Sequence, residues 1–517
     1  MPSRRPAASL RHSITEYAFG RGINAVMGVL VLVILVRAMP VVEYAAYAGV
    51  TGFVGLLSVL SLLGIDRVAS RYIPEGTLRG SAHDLQKFLR WLIGTRLAAA
   101  AILVLATFLF SGLVARVLNI APDSPLFLAM CVSCLTNAIF DTGVLVSQGL
   151  MMQKRLRQAM TMQGVARAAA VVAITVWIKE VEAYMVIAVN AATDLLGVLW
   201  MSRAVLTPNH PVPSSEVARG PWPEDYRPIV ALGARNQMSY LLSLPWAGST
   251  LRVLASAVLP PQDAAAFGFF QMLTDRIRMY LPVAFFQALM EPVLARRLVS
   301  SGDSGRVIRP ILVVIRLTWW CIVPALMFSI CFGPHLLGWV TKGKYVEQIR
   351  AFDLMLLQLV FVAAHTGLWS IVTTVKLGRG TWVPPLVATV TLFPLIPFLT
   401  RMGGVEGLAA VCAASALLQT LLLVWLADID RALIARELRI LGQIVATAVP
   451  CFGLGWLAVS LLDLSDPLTV GAVGLVSVLV FLLISHWFPP LSQDEMQSLC
   501  ERYPKLAHLF RPRAGPR

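Results

Sequence analysis

The chain is a succession of long apolar blocks separated by short polar gaps. Fourteen blocks approach the roughly 20 residues that a helix needs to cross a bilayer. They cover 19–36, 44–64, 91–115, 125–147, 159–177, 183–202, 228–258, 264–294, 310–333, 353–374, 381–399, 405–427, 440–462 and 467–487. The pattern predicts an all-α polytopic membrane protein, and an even number of spans puts both termini on one side. Between the spans, 65–90 reads as a partly amphipathic helix. Residues 207–227 are polar and rich in proline (Pro208, Pro211, Pro213, Pro221, Pro223) and read as a linker after span six. Residues 334–352 form the longest loop on the outer side, and the segment from about 488 is a basic, proline-bearing tail.

Composition agrees. The 517 residues are 57% hydrophobic and only 14% charged, with mean hydropathy +0.73, whereas soluble chains carry about 25% charge. The gaps are too short for a soluble domain. Most of the 43 Lys and Arg fall in every second gap, the arrangement that marks cytoplasmic loops. It places both termini inside. The net charge of +15 therefore serves topology and anionic headgroups rather than nucleic acid. Arg4, Arg5 and Arg11 precede an apolar run that continues to Val36. That run is too long for a cleaved leader, so it is expected to stay as the first span.

Several chemistries find no support. Cys131 and Cys134 form a CxxC inside an apolar block without the four ligands zinc wants. Gly338 to Lys344 resembles the start of a phosphate-binding loop, but Tyr345 stands where the Ser or Thr should be. No nucleophile elbow, zinc-protease or dinucleotide motif occurs. The expectation is a protein without catalytic residues, resident cofactor or metal site.

A weak internal repeat is present. Pro40, Glu43 and Tyr47 frame two alanines after the first span; Pro260, Asp263 and Phe267 frame three after the seventh. The offset of 220 residues corresponds to six spans, so the two copies would run in the same direction.

Charges inside the apolar blocks carry the candidate chemistry, because a charge at mid-bilayer costs roughly 3 kcal/mol on insertion scales. The cations are Arg21, Arg96, Arg167, Arg235, Arg252, Arg276, Arg278 and Arg316; the acids are Asp141, Asp194 and Asp275. Arg21, Arg96, Arg235 and Arg316 are near enough to span ends to snorkel, and Arg252 could reach the outer interface. Asp275 and Arg278, three residues apart, could pair on one helix face. The excess of cations over acids points instead to an aqueous cavity for an anion, and arginine forks suit phosphate oxygens. Pro245, Pro282, Pro292, Pro324, Pro384, Pro385, Pro394 and Pro397 interrupt the same spans. They predict bent helices, tolerated where protein or a cavity satisfies the freed backbone.

A resemblance adds to this reading. It rests on Gly20-Arg21-Gly22, the run from Leu35 to Pro40, Glu43, Tyr44 and Tyr47, Gly64-Ile65-Asp66-Arg67, Arg71 to Glu75, and the later Gly343-Lys344-Tyr345. In these the chain resembles the polysaccharide-biosynthesis flippases of the multidrug/oligosaccharidyl-lipid/polysaccharide exporter superfamily. That resemblance implies two pseudo-symmetric six-helix lobes plus two C-terminal helices. The bounds would be 1–226, 227–437 and 438–487, with a cytoplasmic tail at 488–517. It implies the flipping of undecaprenyl-diphosphate-linked oligosaccharide across the bacterial inner membrane by alternating access, for O-antigen, capsule or exopolysaccharide. Proton or sodium coupling is compatible with it. Expected partners are that lipid-linked oligosaccharide, membrane lipid and other polysaccharide-assembly membrane proteins. Arg167, Arg235, Arg276, Arg278, Arg21 and Arg96 are the expected substrate-binding cations, on burial and charge alone. Asp141, Asp194 and Asp275 are the candidates for ion coupling or for orienting the arginines. Asp66, Arg67, Arg71 and Glu75 are read as an inner gate. A multidrug exporter on the same fold and a polysaccharide polymerase or ligase are the alternatives. The cation excess argues against the first, the short outer loops against the second.

Overall fold

The structure, a computed structural model, describes residues 22, 26–79, 81–150, 152–205, 222, 225–284, 305–375, 380–462 and 466–487. Among them there are helices and no strands. The chain divides into two compact units, Met1–Arg276 and Ile277–Arg517. Arg21, Pro292, the tail from 488 and most of the proline-rich linker lie outside the described residues.

Helices of the first unit are α1 (Val26–Ala38), α2 (Val41–Ser61), α3 (Ile65–Arg79), α4 (Ala82–Leu109), α5 (Ser111–Leu118), α6 (Pro125–Gly149), α7 (Gln153–Trp177), α8 (Ala183–Val205), α9 (Arg227–Ser243) and α10 (Gly248–Val258). Helix α11 (Pro261–Tyr280) follows, and the unit boundary falls within its last turns. Local chemistry sets many ends. Ser81 accepts from the Asp84 amide at 3.1 Å, and Ser124 accepts from the Phe127 amide with Pro125 in the first turn. Asn119 closes α5 in the left-handed conformation. The Glu43 carboxylate takes the Ala183 amide at 2.8 Å, which caps α8 from α2.

Helix α3 is the expected amphipathic segment. Ile65, Val68, Ala69 and Ile73 are buried against Leu85, Phe88, Leu89 and Leu92 of α4 and Trp222 of the linker. Arg67 and Arg71 are exposed on its other side. The repeat has a structural counterpart. The amides of Tyr44 and Ala264 each bond back to the prolines Pro40 and Pro260 at 2.9 Å, so both copies open the same helical turn. Ala48 and Gly268, 220 residues apart, face one another so closely that a Cβ on Gly268 would collide with that of Ala48.

The second unit holds α12 (Gly305–Thr341), α13 (Ile349–Val375), α14 (Val383–Leu392), α15 (Ile396–Ala427), α16 (Arg431–Leu461) and α17 (Pro467–Trp487). Its core runs through Ile315, Ile322, Leu359, Ala363, Val372, Leu423, Ala448, Phe452 and Phe481. Helices α16 and α17 are therefore packed into this unit and share its core.

Eleven described helices or helix pairs are long and apolar enough to cross a membrane. Three of the fourteen expected spans lie elsewhere. Span one is described only as Val26–Ala38, and α11 carries Asp263, Asp275, Arg276 and Arg278 among its 20 residues and is not apolar enough to count. Spans eleven and twelve run together as Val383–Ala427, broken by Gly404 at φ 51° and ψ −129°. Span seven is found as Arg227–Val258, and it is interrupted at Pro245 as expected, by a 3-10 turn at Leu244–Trp246 between α9 and α10. One expectation needs correction. The outer loop expected over 334–352 is shorter, because α12 continues through Pro334 to Thr341 and α13 starts at Ile349.

Candidate functional site

In the first unit, each candidate helix sorts apolar from ionic residues by face. Exposed apolar side chains line one stripe of α4 (Ile102, Leu105, Leu109), α6 (Leu128, Val132), α7 (Val165, Val172, Val176) and α8 (Leu195, Leu196, Leu199). These stripes suit lipid. At 3.6 residues per turn, Arg96, Asp141, Arg167 and Asp194 each lie roughly opposite the stripe of their own helix. The ionic residues therefore face the interior of the unit.

There they pair. Arg96 Nη2 lies 3.5 Å from Asp141 Oδ2. Ser58 Oγ on α2 donates to the same oxygen at 2.8 Å and accepts from Arg96 Nη2 at 3.3 Å. Arg96 is buried, and its Nε and Nη1 have no hydrogen-bond partner among the described residues, while the Asp141 side chain stays 41% exposed. Arg167 Nη2 bonds Asp194 Oδ1 at 2.9 Å, and Gln163 Nε2 donates to the same oxygen at 2.5 Å. Asp194 is sealed at 2% exposure. On α10 and α11, Arg252 Nη1 reaches Asp275 Oδ2 at 3.1 Å, with Gln271 Nε2 on Oδ1 at 3.1 Å.

In the second unit, Arg316 of α12 grips Glu437 of α16 through two bonds of 2.6 Å, from Nε to Oε2 and from Nη2 to Oε1. The partly buried His365 of α13 sits beside Trp369, ring centroids 5.9 Å apart, with its Nε2 unpartnered among the described residues.

These contacts correct part of the sequence reading. Arg96 and Arg316 do not snorkel; both are buried and paired. Arg252 does not stop at the interface, and Asp275 pairs with it instead of with Arg278. All three in-span acids are taken, and Glu437, placed at a lobe edge by the sequence, takes a fourth arginine. The cation excess narrows to Arg235, Arg276 and Arg278, which have no carboxylate partner among the described residues. Arg235 and Arg278 are exposed and Arg276 is half-buried.

The expected gate residues form a second polar cluster. Asp66 accepts from Asn236 Nδ2 at 2.9 Å and from the Tyr240 hydroxyl, both on α9. Gln237 accepts from the Gly64 amide at 3.0 Å and donates toward the Val59 and Leu60 carbonyls. Gly64 has φ +70° and lies against the Gly233 carbonyl. Arg71 lies over the Tyr72 ring at 5.5 Å. Arg67, Arg71 and Glu75 recur every four residues and share a face of α3. Sequence reasoning missed Ser58, Gln163, Asn236, Gln237, Tyr240 and Glu437. The run Asn236-Gln237, with Tyr240 one turn on, was visible as polar residues inside an apolar block.

The fold is similar to that of several solved structures. A lipid II flippase MurJ, in an inward closed conformation, aligns with a TM-score of 0.65 at 11% identity, covering 91% of this chain and 98% of that one. An inward-facing multidrug resistance MATE family transporter of the MOP superfamily aligns at 0.62 and 12% identity, covering 80% and 96%. An outward-facing one aligns at 0.54 and 12%, covering 83% and 96%. At such identities the likeness is one of fold. No curated protein matches the sequence. The family model described as polysaccharide biosynthesis protein matches residues 10–296, more than half of the chain. The polytopic helical architecture, the repeat and that match agree: the chain belongs to the polysaccharide biosynthesis protein family.

Proposed function

We propose that the protein flips undecaprenyl-diphosphate-linked oligosaccharide repeat units across the bacterial inner membrane for surface polysaccharide synthesis. The observation that carries this reading is the set of in-span arginines left without a described carboxylate, with Arg276 and Arg278 on one helix. Such a cation is expensive in a bilayer unless it faces an aqueous path or an anion. A diphosphate supplies phosphoryl oxygens that suit arginine forks, and Arg276, Arg278, Arg235 and Arg21 are the proposed substrate-binding cations. Arg96 and Arg167 contribute field more than contact, since each already holds a carboxylate.

In this account the protein makes and breaks no covalent bond. It moves a finished lipid-linked unit by alternating access between two lobes, 1–226 and 227–437, with 438–487 appended. Both termini and the tail at 488–517 are cytoplasmic. Asp141 is the better candidate for proton or sodium coupling, because its carboxylate stays open while Asp194 is sealed. Asp275 orients Arg252. Asp66, which Asn236 and Tyr240 tie to α9, forms an inner gate with Arg67, Arg71 and Glu75. The substrate would come from membrane glycosyltransferases and pass to an outer-face polymerase or ligase, whether for O-antigen, capsule or exopolysaccharide.

The test is gene deletion in the host, reading surface glycan and the sidedness of lipid-linked oligosaccharide together. Lost polymer with repeat units held at the cytoplasmic face supports the flippase. Outward-facing accumulated units point to a polymerase or ligase instead. Unchanged glycan, with no redundant flippase, sinks both and leaves a multidrug exporter of the same fold.

A further inference from the structure

Adjacent residues on α11 are treated in opposite ways. Asp275 turns toward α10, where Arg252 and Gln271 hold both of its oxygens. Arg276 lies about 100° further round the helix and turns toward α1. Each is admitted by a glycine. A Cβ built on Gly248 would meet Gln271 Nε2 at 2.7 Å and the Asp275 oxygens at 2.8 and 3.0 Å. A Cβ built on Gly28 would meet Arg276 Cζ at 3.0 Å and its Nε and Nη1 at 3.2 Å. All three atoms facing Gly28 belong to the guanidinium, so its plane lies against the bare backbone of α1. Gly28 and Gly248 are 220 residues apart, the offset of the internal repeat.

We propose that Gly28 is a positioning residue for substrate recognition: its missing side chain makes the saddle that holds the Arg276 guanidinium against α1, aimed at the diphosphate of the lipid-linked substrate. The inference rests on the flippase reading given above. The physical argument is one of space and charge. A guanidinium is a flat, rigid fork, and its value for a diphosphate depends on where the fork points. Contacts of 3.0 to 3.2 Å to an added methyl are tighter than nearly all Cβ contacts, and all three fall on the guanidinium. The guanidinium must therefore give by a few tenths of an ångström, which turns the fork away from its aim. Asp275 cannot draw it back, because that carboxylate already serves Arg252 and Gln271.

The test is a double-mutant cycle on the purified full chain in lipid nanodiscs. Binding of undecaprenyl diphosphate and undecaprenyl monophosphate is measured for wild type, Gly28→Ala, Arg276→Ala, the double variant, and Gly28→Ala combined with Arg276→Lys. Gly28→Ala is expected to weaken diphosphate binding about tenfold and to shrink the preference over monophosphate. It should add nothing in the Arg276→Ala background, and little beside Arg276→Lys, whose slender ammonium clears the new methyl. Thermal unfolding of each variant identifies a loss that is merely one of folding, which would leave the phosphate preference unchanged. Equal weakening by Gly28→Ala with and without Arg276, or no weakening, overturns the saddle while Arg276→Ala still confirms the flippase reading. Unchanged binding in Arg276→Ala overturns both.

Discussion

Removing Glu437 takes from the buried Arg316 a carboxylate that it grips through two bonds. Arg316 and Glu437 are joined by two bonds of 2.6 Å, and their side chains are 2% and 9% exposed, so solvent screens neither. In Glu437→Ala the guanidinium keeps its desolvation penalty and loses this carboxylate. Breaking a buried pair from one side costs about 3–5 kcal/mol. One factor of ten in an equilibrium is about 1.4 kcal/mol, so the folded state of the second unit should lose a factor of roughly a hundred to several thousand. Removing both charges is different. Arg316→Met with Glu437→Leu restores apolar contact between α12 and α16, and such replacements are often neutral or better. The assay is thermal unfolding in nanodiscs alongside membrane protein level. The single variant should melt well below wild type, and the double should recover most of the difference. Wild-type melting for Glu437→Ala, or a double variant as weak as the single, refutes the reasoning.

Further predictions follow from other contacts. Gly64→Ala should cost more than about 1 kcal/mol, since the left-handed conformation alone costs an ordinary residue that much and the new methyl meets the Gly233 carbonyl; unfolding midpoints check this. Asp194→Asn should lower protein stability because it leaves Arg167 facing an amide, whereas Asp141→Asn, at a more open carboxylate, should change the ion dependence of transport more than the amount of protein. Just ahead of α17, the Asp466 carboxyl is held below the usual carboxylate range by the Thr469 amide and hydroxyl. A depressed value means the cap is intact above the ordinary carboxylate pKa and is lost as pH falls through the lowered one. Amide exchange in the first turn of α17 should therefore quicken only in acid.

The spans were legible because bilayer crossing imposes a length and a composition that any window of sequence reveals. Helix α3 was legible for a similar reason, its apolar residues at 65, 68, 69 and 73 marking a face. The repeat could be read because Pro40 and Pro260 start the same helical turn. What could not be read was pairing. Asp275 has Arg278 three residues away and chooses Arg252, 23 residues back, because α10 packs beside it. Arg316 finds Glu437 across 121 residues. Spacing along one helix says which charges share a face, and it says nothing about which neighbouring helix that face meets. Gly28 was invisible for the same reason: an absent side chain matters only once its neighbour is known.

The central claim is that in-span arginines recognise an anionic lipid-linked substrate. Its most direct test is to express Arg276→Ala and Arg278→Ala singly in the deletion host and to measure surface glycan together with membrane protein level. The account predicts glycan lost in both variants at normal protein level, with lipid-linked repeat units accumulating at the cytoplasmic face. Normal export by both would contradict it.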